Sequence, residues 1–185
     1  MENEERVLVW DIWVRLFHWF NLVVFFVAYM TPVRLVFVGH LWSGYAVLAL
    51  VTFRILWGFV GSKHARFSDF LYSPVAVLTN LKEIVLFRQK RYLGHGPAGG
   101  VMVILLLLGL FVTAFSGVML SGAEEAGPLA GLVPTADWRL LRDIHSFATD
   151  VTIGLIFVHV IGALLSAVTR NDDLVGAMLS GRKRV

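Results

Sequence analysis

Six histidines and no cysteine set the chemistry open to this 185-residue chain. Without cysteine there are no disulfides, no thiolate-bound zinc, no iron–sulfur ligation and no cysteine nucleophile. Imidazole is left as the ligand with the widest reach. Two of the histidines, His145 and His159, are 14 residues apart. On a helix that spacing is nearly four turns, so both project from one face within about 40° and stand roughly 21 Å apart along the axis. His40 and Arg54 show the same 14-residue spacing.

Those side chains need helices, and the composition supplies them in a bilayer. The chain is 57% hydrophobic with a mean hydropathy of +0.74. A soluble domain this small could not hide so much apolar surface. A membrane span needs roughly 20 mostly apolar residues. Four stretches qualify, at about residues 14–31, 40–60, 97–120 and 138–168, the first ending near Pro32. The expected fold is all-α: an integral membrane four-helix bundle forming one domain over 1–185, with short amphipathic interfacial helices. One such helix is expected after Ser73, which would cap it, with Pro74 at its first position. Lys82 and Arg88 suit a helix lying along the headgroups. The tail after Asn171 reads as another short piece. The six tryptophans, Trp10, Trp13, Trp19, Trp42, Trp57 and Trp138, fall near helix ends as an aromatic belt.

The formal net charge is +3, but the basic residues gather in particular loops rather than along a nucleic-acid-binding stripe. The 61–96 connection carries six lysines and arginines, whereas the 121–137 connection carries none and holds Glu124 and Glu125. The positive-inside rule then puts both termini and the long loop on the cytoplasmic side of a multi-pass membrane protein. The acidic start, residues 1–5, and the lack of a small-residue cleavage site predict that the first helix is retained.

With that orientation, the histidines match in depth. His18 lies near the cytoplasmic end of the first span and His159 at the same level of the fourth. His40 and His145 lie near the outer face. Ionisable groups in a span are costly and mark function. Two imidazoles per level, with no carboxylate beside them, suit the two axial positions of a haem iron, and bundles place such cofactors in their cores. The alternative is that the histidines only bond neighbouring helices. His64 and His95 lie in the long loop and read as headgroup-level residues or propionate neighbours. Gly44, one turn below His40, leaves room for a flat group. Gly109, Thr113 and Gly117 form a small-residue stripe, which suits either a cofactor or close helix packing. Arg54 is expected to meet a propionate of the cytoplasmic haem. Arg15 is a second candidate for that role or a topological anchor, and Arg139 or Arg142 would serve the outer haem.

These residues fall in motifs: VWDIWVRLFHW at 9–19, HLWSGY at 40–45, RILWGFVGSKHARF at 54–67, GHGPAGG at 94–100, and the His145/His159 pair. Together they resemble the bacterial cytochrome b561 and nickel-hydrogenase cytochrome b family over nearly the whole chain. Ile12 stands where proline is common in that family. The resemblance implies two haem b groups, with His18, His40, His145 and His159 as axial ligands, and exchange of electrons with ubiquinone or menaquinone. It also implies a redox partner, either a periplasmic cytochrome c or a hydrogenase or dehydrogenase subunit. A self-contained superoxide:quinone oxidoreductase is the alternative. It would need a basic approach, for which Arg34, Arg139 and Arg142 are candidates, against the opposing charge of Glu124 and Glu125. No residue is assigned a catalytic role of its own.

Overall fold

The computed structural model describes residues 6–31, 37–88, 90–170 and 172–184. Arg34, Pro32 and the acidic 1–5 segment lie outside them. In chain order the elements are β1 (Arg6–Leu8), α1 (Ile12–Met30), α2 (Phe37–Val60), α3 (Pro74–Val85), α4 (Pro97–Ala123), α5 (Trp138–Arg170), α6 (Leu174–Ser180) and β2 (Arg182–Arg184). Helices α1, α2, α4 and α5 are each long and apolar enough to cross a membrane. The chain is a multi-pass helical membrane protein.

The polarity of the spans is inverted relative to a soluble bundle. Phe20, Phe26, Phe59, Phe157 and Val168 are exposed, while Thr113, Ser116, Ser121 and Thr152 are buried. In lipid there is no water to satisfy a polar group, so each buried hydroxyl needs an internal partner. Ser116 donates to the Val112 carbonyl at 2.6 Å and Ser121 to the Val118 carbonyl at 2.8 Å. The hydroxyls of Thr113 and Thr152 meet at 3.1 Å, joining α4 to α5.

The chain packs as two compact units. One comprises residues 17–54 and 106–155 and carries His18, His40, Arg54 and His145. The other comprises 1–16, 55–105 and 156–185, and includes His64, His95 and His159. In this second unit the two chain ends pair as a short antiparallel ribbon, Arg6 opposite Arg184 and Leu8 opposite Arg182. Sequence patterning does not announce that ribbon, because three-residue strands from opposite ends carry no periodicity. Gly181 makes it possible. With φ at +80° it caps α6, and its carbonyl accepts the amides of Val9 at 2.8 Å and Trp10 at 3.0 Å. Any β-carbon there would stand 2.6 Å from the Trp10 carbonyl oxygen. Val9, Trp10, Val14, Ala65 and Ala177 then form a local core against Val7, Trp57 and Met178.

Helix α3 starts as its residues dictate. The Ser73 hydroxyl accepts the Ala76 amide and Pro74 takes the first position. Helix α1 begins two residues earlier than hydropathy indicates, and Asp11 is the reason. Its carboxylate accepts the Val14 amide at 2.9 Å, the Trp57 indole at 3.1 Å and the Ser62 hydroxyl at 2.5 Å. Ile12 is therefore the first helical residue, a position where proline is also well tolerated.

Burial alone would raise the Asp11 pKa, but the bonds donated by Ser62, the Val14 amide and Trp57 outweigh it and hold the carboxyl below its ordinary value. A depressed carboxyl contributes stability above the unfolded carboxylate range, and that contribution is lost as pH falls through the folded value. Asp11→Ala should cost about 1–3 kcal/mol, from the lost cap and two stranded donors. In detergent melts, the difference from the parent should shrink below about pH 4. A difference unchanged between neutral and acid pH would refute this role.

Candidate haem site

His40 and His145 come together in the unit formed by 17–54 and 106–155. Their ring centroids are 6.1 Å apart and their planes nearly perpendicular, at 88°. His40 sits in the first turn of α2, and its Nδ1 lies 2.9 Å from the Ala28 carbonyl. Ala28 belongs to the last turn of α1, where carbonyls have no amide partner within the helix. His145 sits on α5, and its Nδ1 lies 2.9 Å from the Thr113 carbonyl of α4. A carbonyl can only accept, so in both rings Nδ1 carries the proton. That leaves Nε2 as the lone-pair nitrogen in each. A metal-ligating histidine needs this arrangement, with the remote N–H bonded to a backbone carbonyl.

The α4 stripe explains how His145 reaches that carbonyl. A β-carbon on Gly117 would stand 2.8 Å from Cε1 and 3.0 Å from Nδ1 of His145. Gly117 is therefore the seat of the imidazole. The other end of the stripe does what small residues do in any membrane interface. A β-carbon on Gly109 would stand 2.7 Å from the Thr152 hydroxyl, and Thr113 bonds to that same hydroxyl. At both ends of the stripe the close neighbour is a side chain of α5, as the helix-packing reading expects. Ser116 adds a further polar atom 3.4 Å from His145 Nδ1.

The donor set fits a haem better than a bare ion. Among the described residues, no third histidine or carboxylate joins a pair to form a metal cluster. A protein-bound zinc would need further ligands, whereas a planar macrocycle fills the equatorial positions and asks only for two axial ones. The spacing agrees. Two imidazole–metal bonds of about 2 Å each, plus the offset of each nitrogen from its ring centre, sum to roughly 6 Å. There is also room. Gly44, one turn from His40, shares its helix face with the buried Val47, Val51 and Arg54, yet a β-carbon there would meet nothing within 4 Å.

The remaining sequence candidates are placed as follows. Arg54, 2% exposed, lies on that same face of α2. His18 lies on α1, its ring edge-on to Trp19 at 5.1 Å. His159 lies on α5, and Gly162 beside it has open space around it. His18 and His159 belong to different units, and their pairing rests on the sequence argument. Arg15 donates to the Leu179 carbonyl at 2.6 Å, a tie to the end of α6. Arg142 is bonded to Glu124 at 2.7 Å, and both Arg139 and Arg142 lie over the Trp138 ring. His64 pairs with Asp69 at 2.8 Å. His95 lies between the rings of Trp10 and Phe70, at 4.5 and 4.9 Å. The Ala28 and Thr113 carbonyls, which fix both tautomers, escape sequence reasoning because every residue carries a carbonyl.

Gly44 and Gly117 give opposite steric tests. Gly117→Val should displace the His145 ring and abolish its ligation, leaving one haem fewer per chain. A β-carbon at Gly44 has open space around it, so Gly44→Leu should leave helical content unchanged while lowering haem retention. Haem extraction and far-ultraviolet circular dichroism on both variants check this. Full haem retention by Gly44→Leu would show that the space is not the cofactor's.

Comparison with known proteins gives the family. A family profile described as Prokaryotic cytochrome b561 matches residues 9–181. A protein of Rhizobium leguminosarum bv. viciae, "Probable Ni/Fe-hydrogenase B-type cytochrome subunit", is 26% identical over 98% of this chain and 90% of its own length. Proteins with the same description in Rhodobacter capsulatus and Bradyrhizobium diazoefficiens are 24% and 25% identical. They align with 99% and 96% of this chain, and with 83% and 86% of their own lengths. No solved structure matches. With a matching profile over almost its whole length, the chain belongs to the prokaryotic cytochrome b561 family, whose cofactor is haem b.

Proposed function

We propose that this membrane cytochrome carries two b haems and passes electrons between the quinone pool and a redox partner. The observation that carries the proposal is the His40–His145 pair, with both Nδ1 protons claimed by backbone carbonyls. A haem so held supplies reversible one-electron exchange at its iron. His40 and His145 would hold it. The Ala28 and Thr113 carbonyls hold the rings in place and make each imidazole a stronger donor. Gly117 gives His145 its seat, and Gly44 leaves space on the inward face of α2.

The second haem takes His18 and His159, by the depth argument from sequence. Arg54, buried within a span, suits a carboxylate of this second group through charge-assisted bonds. Arg15 serves as the tie between α1 and α6. The clustered lysines and arginines support cytoplasmic termini in a bacterial inner membrane. The relatives described as hydrogenase cytochrome subunits support a hydrogenase-type subunit as the partner. The superoxide reading loses support because Arg142 is neutralised by Glu124. That pairing weakens the basic approach a small anion would need.

The alanine series at the four histidines tests the assignment. Purified parent protein should hold two b haems per chain. His40→Ala and His145→Ala should each lose the same haem, so the two variants and their double mutant give one spectrum and one remaining midpoint potential. His18→Ala and His159→Ala should lose the other. Different residual potentials in His40→Ala and His145→Ala would overturn the pairing. Stopped-flow mixing with a quinol analogue should reduce the parent's haem, and absence of reduction would remove quinone from the account.

A further inference from the structure

The chain ends enclose a cleft of about 510 Å³ in the unit formed by 1–16, 55–105 and 156–185. Its wall includes Arg6, Arg91, Arg182, Lys183 and Arg184 against only Asp172 and Asp173. The ribbon arranges these cations deliberately. Opposed residues in an antiparallel pair share a face, as do residues two apart on a strand. The register therefore puts Arg6, Arg182 and Arg184 on one face of the ribbon, with Arg6 directly opposite Arg184. Lys183 turns to the other face, where it is buried and donates to the Tyr92 carbonyl at 3.2 Å.

Like charges placed directly opposite one another destabilise a strand pair. The surrounding structure nevertheless holds this arrangement firmly. Arg91 bonds to Asp172 at 2.8 Å and to the Arg184 carbonyl at 2.8 Å, pinning β2 to the loop before α4. An anion with several acceptor oxygens would relieve the repulsion. The cleft volume lies within the range of small-ligand sites.

What borders the cleft favours one kind of anion. Ala167, in the last turns of the α5 span, is part of the wall. Its neighbours Leu164 and Val168 are 59% and 84% exposed. A polar, cationic pocket beside a bare apolar helix surface matches a molecule with a phosphate head and acyl tails. We propose that this cleft binds the phosphate headgroup of an anionic phospholipid, with the acyl chains against the end of α5. The lipid joins the two chain termini to the last membrane span.

Native mass spectrometry of the full-length, haem-loaded, delipidated protein tests this. The probes are short-chain phosphatidylglycerol, short-chain phosphatidylcholine and inorganic phosphate. One phosphatidylglycerol should bind per chain in preference to phosphatidylcholine. Each arginine near such a headgroup strengthens binding by about five-fold. The double variant Arg6→Gln/Arg182→Gln should therefore bind about twenty-five-fold more weakly. Arg6→Lys/Arg182→Lys keeps the charge, should keep most of the affinity, and guards against misfolding of the ribbon. Haem content should be the same in all three proteins, which separates this site from the haem assignment. Equal binding of the two lipids, or unchanged binding by the glutamine variant, overturns the proposal. Displacement of the lipid by equimolar inorganic phosphate would reassign the cleft to a free anion and also overturn it.

Discussion

Each neutral imidazole has a single proton to place, and at His40 and His145 a backbone carbonyl claims it. That bond decides which nitrogen can face a metal, and much of the structure around His40 and His145 serves it. In water such a bond would contribute little net energy. In a span it has no competitor, because solvent is absent and an unsatisfied N–H is costly. The last turn of α1 must therefore end where Ala28 can offer its carbonyl. Helix α4 must bring Thr113 close enough to α5 for its carbonyl to accept a further bond. Gly117 is the cost of that approach, since any side chain there would strike the ring it is meant to seat.

The same logic governs the packing near the site. Two apolar helices in lipid gain little from burying apolar surface against each other, so they associate through close contact and polar bonds. Gly109 against Thr152, and the Thr113–Thr152 hydroxyl pair, provide both within one short stretch of α4 and α5. The carbonyl that orients the His145 ring thus belongs to the residue whose hydroxyl ties the two helices together. At the other unit, Asp11 plays a comparable organising part. One carboxylate starts α1 and gathers Trp57 and Ser62 around it.

Much of this is legible in the residues themselves. The four spans announce themselves through long apolar runs, and Ser73-Pro74 marks the start of α3. His40 and His145 were paired by depth alone, and their rings do meet. What escaped has a common cause. Asp11 reaches residues some fifty positions away, and β1 pairs with β2 across the entire chain, so neither leaves a local pattern. The carbonyls of Ala28 and Thr113 are invisible because backbone acceptors have no residue type. The small-residue stripe was visible but ambiguous, since glycine serves a ring at 117 and a neighbouring helix at 109. Arg142, a candidate for the outer haem or for a basic approach, is bonded instead to Glu124, eighteen residues away.

Electron paramagnetic resonance of the oxidised protein tests the ligation most directly. Two axial imidazoles make ferric haem low-spin, and the angle between their planes sets the anisotropy of the signal. Rings at 88° predict a strongly anisotropic low-spin signal with a large maximal g value, lost in both His40→Ala and His145→Ala. A purely high-spin signal in the parent, or persistence of that low-spin signal in either variant, would contradict the account.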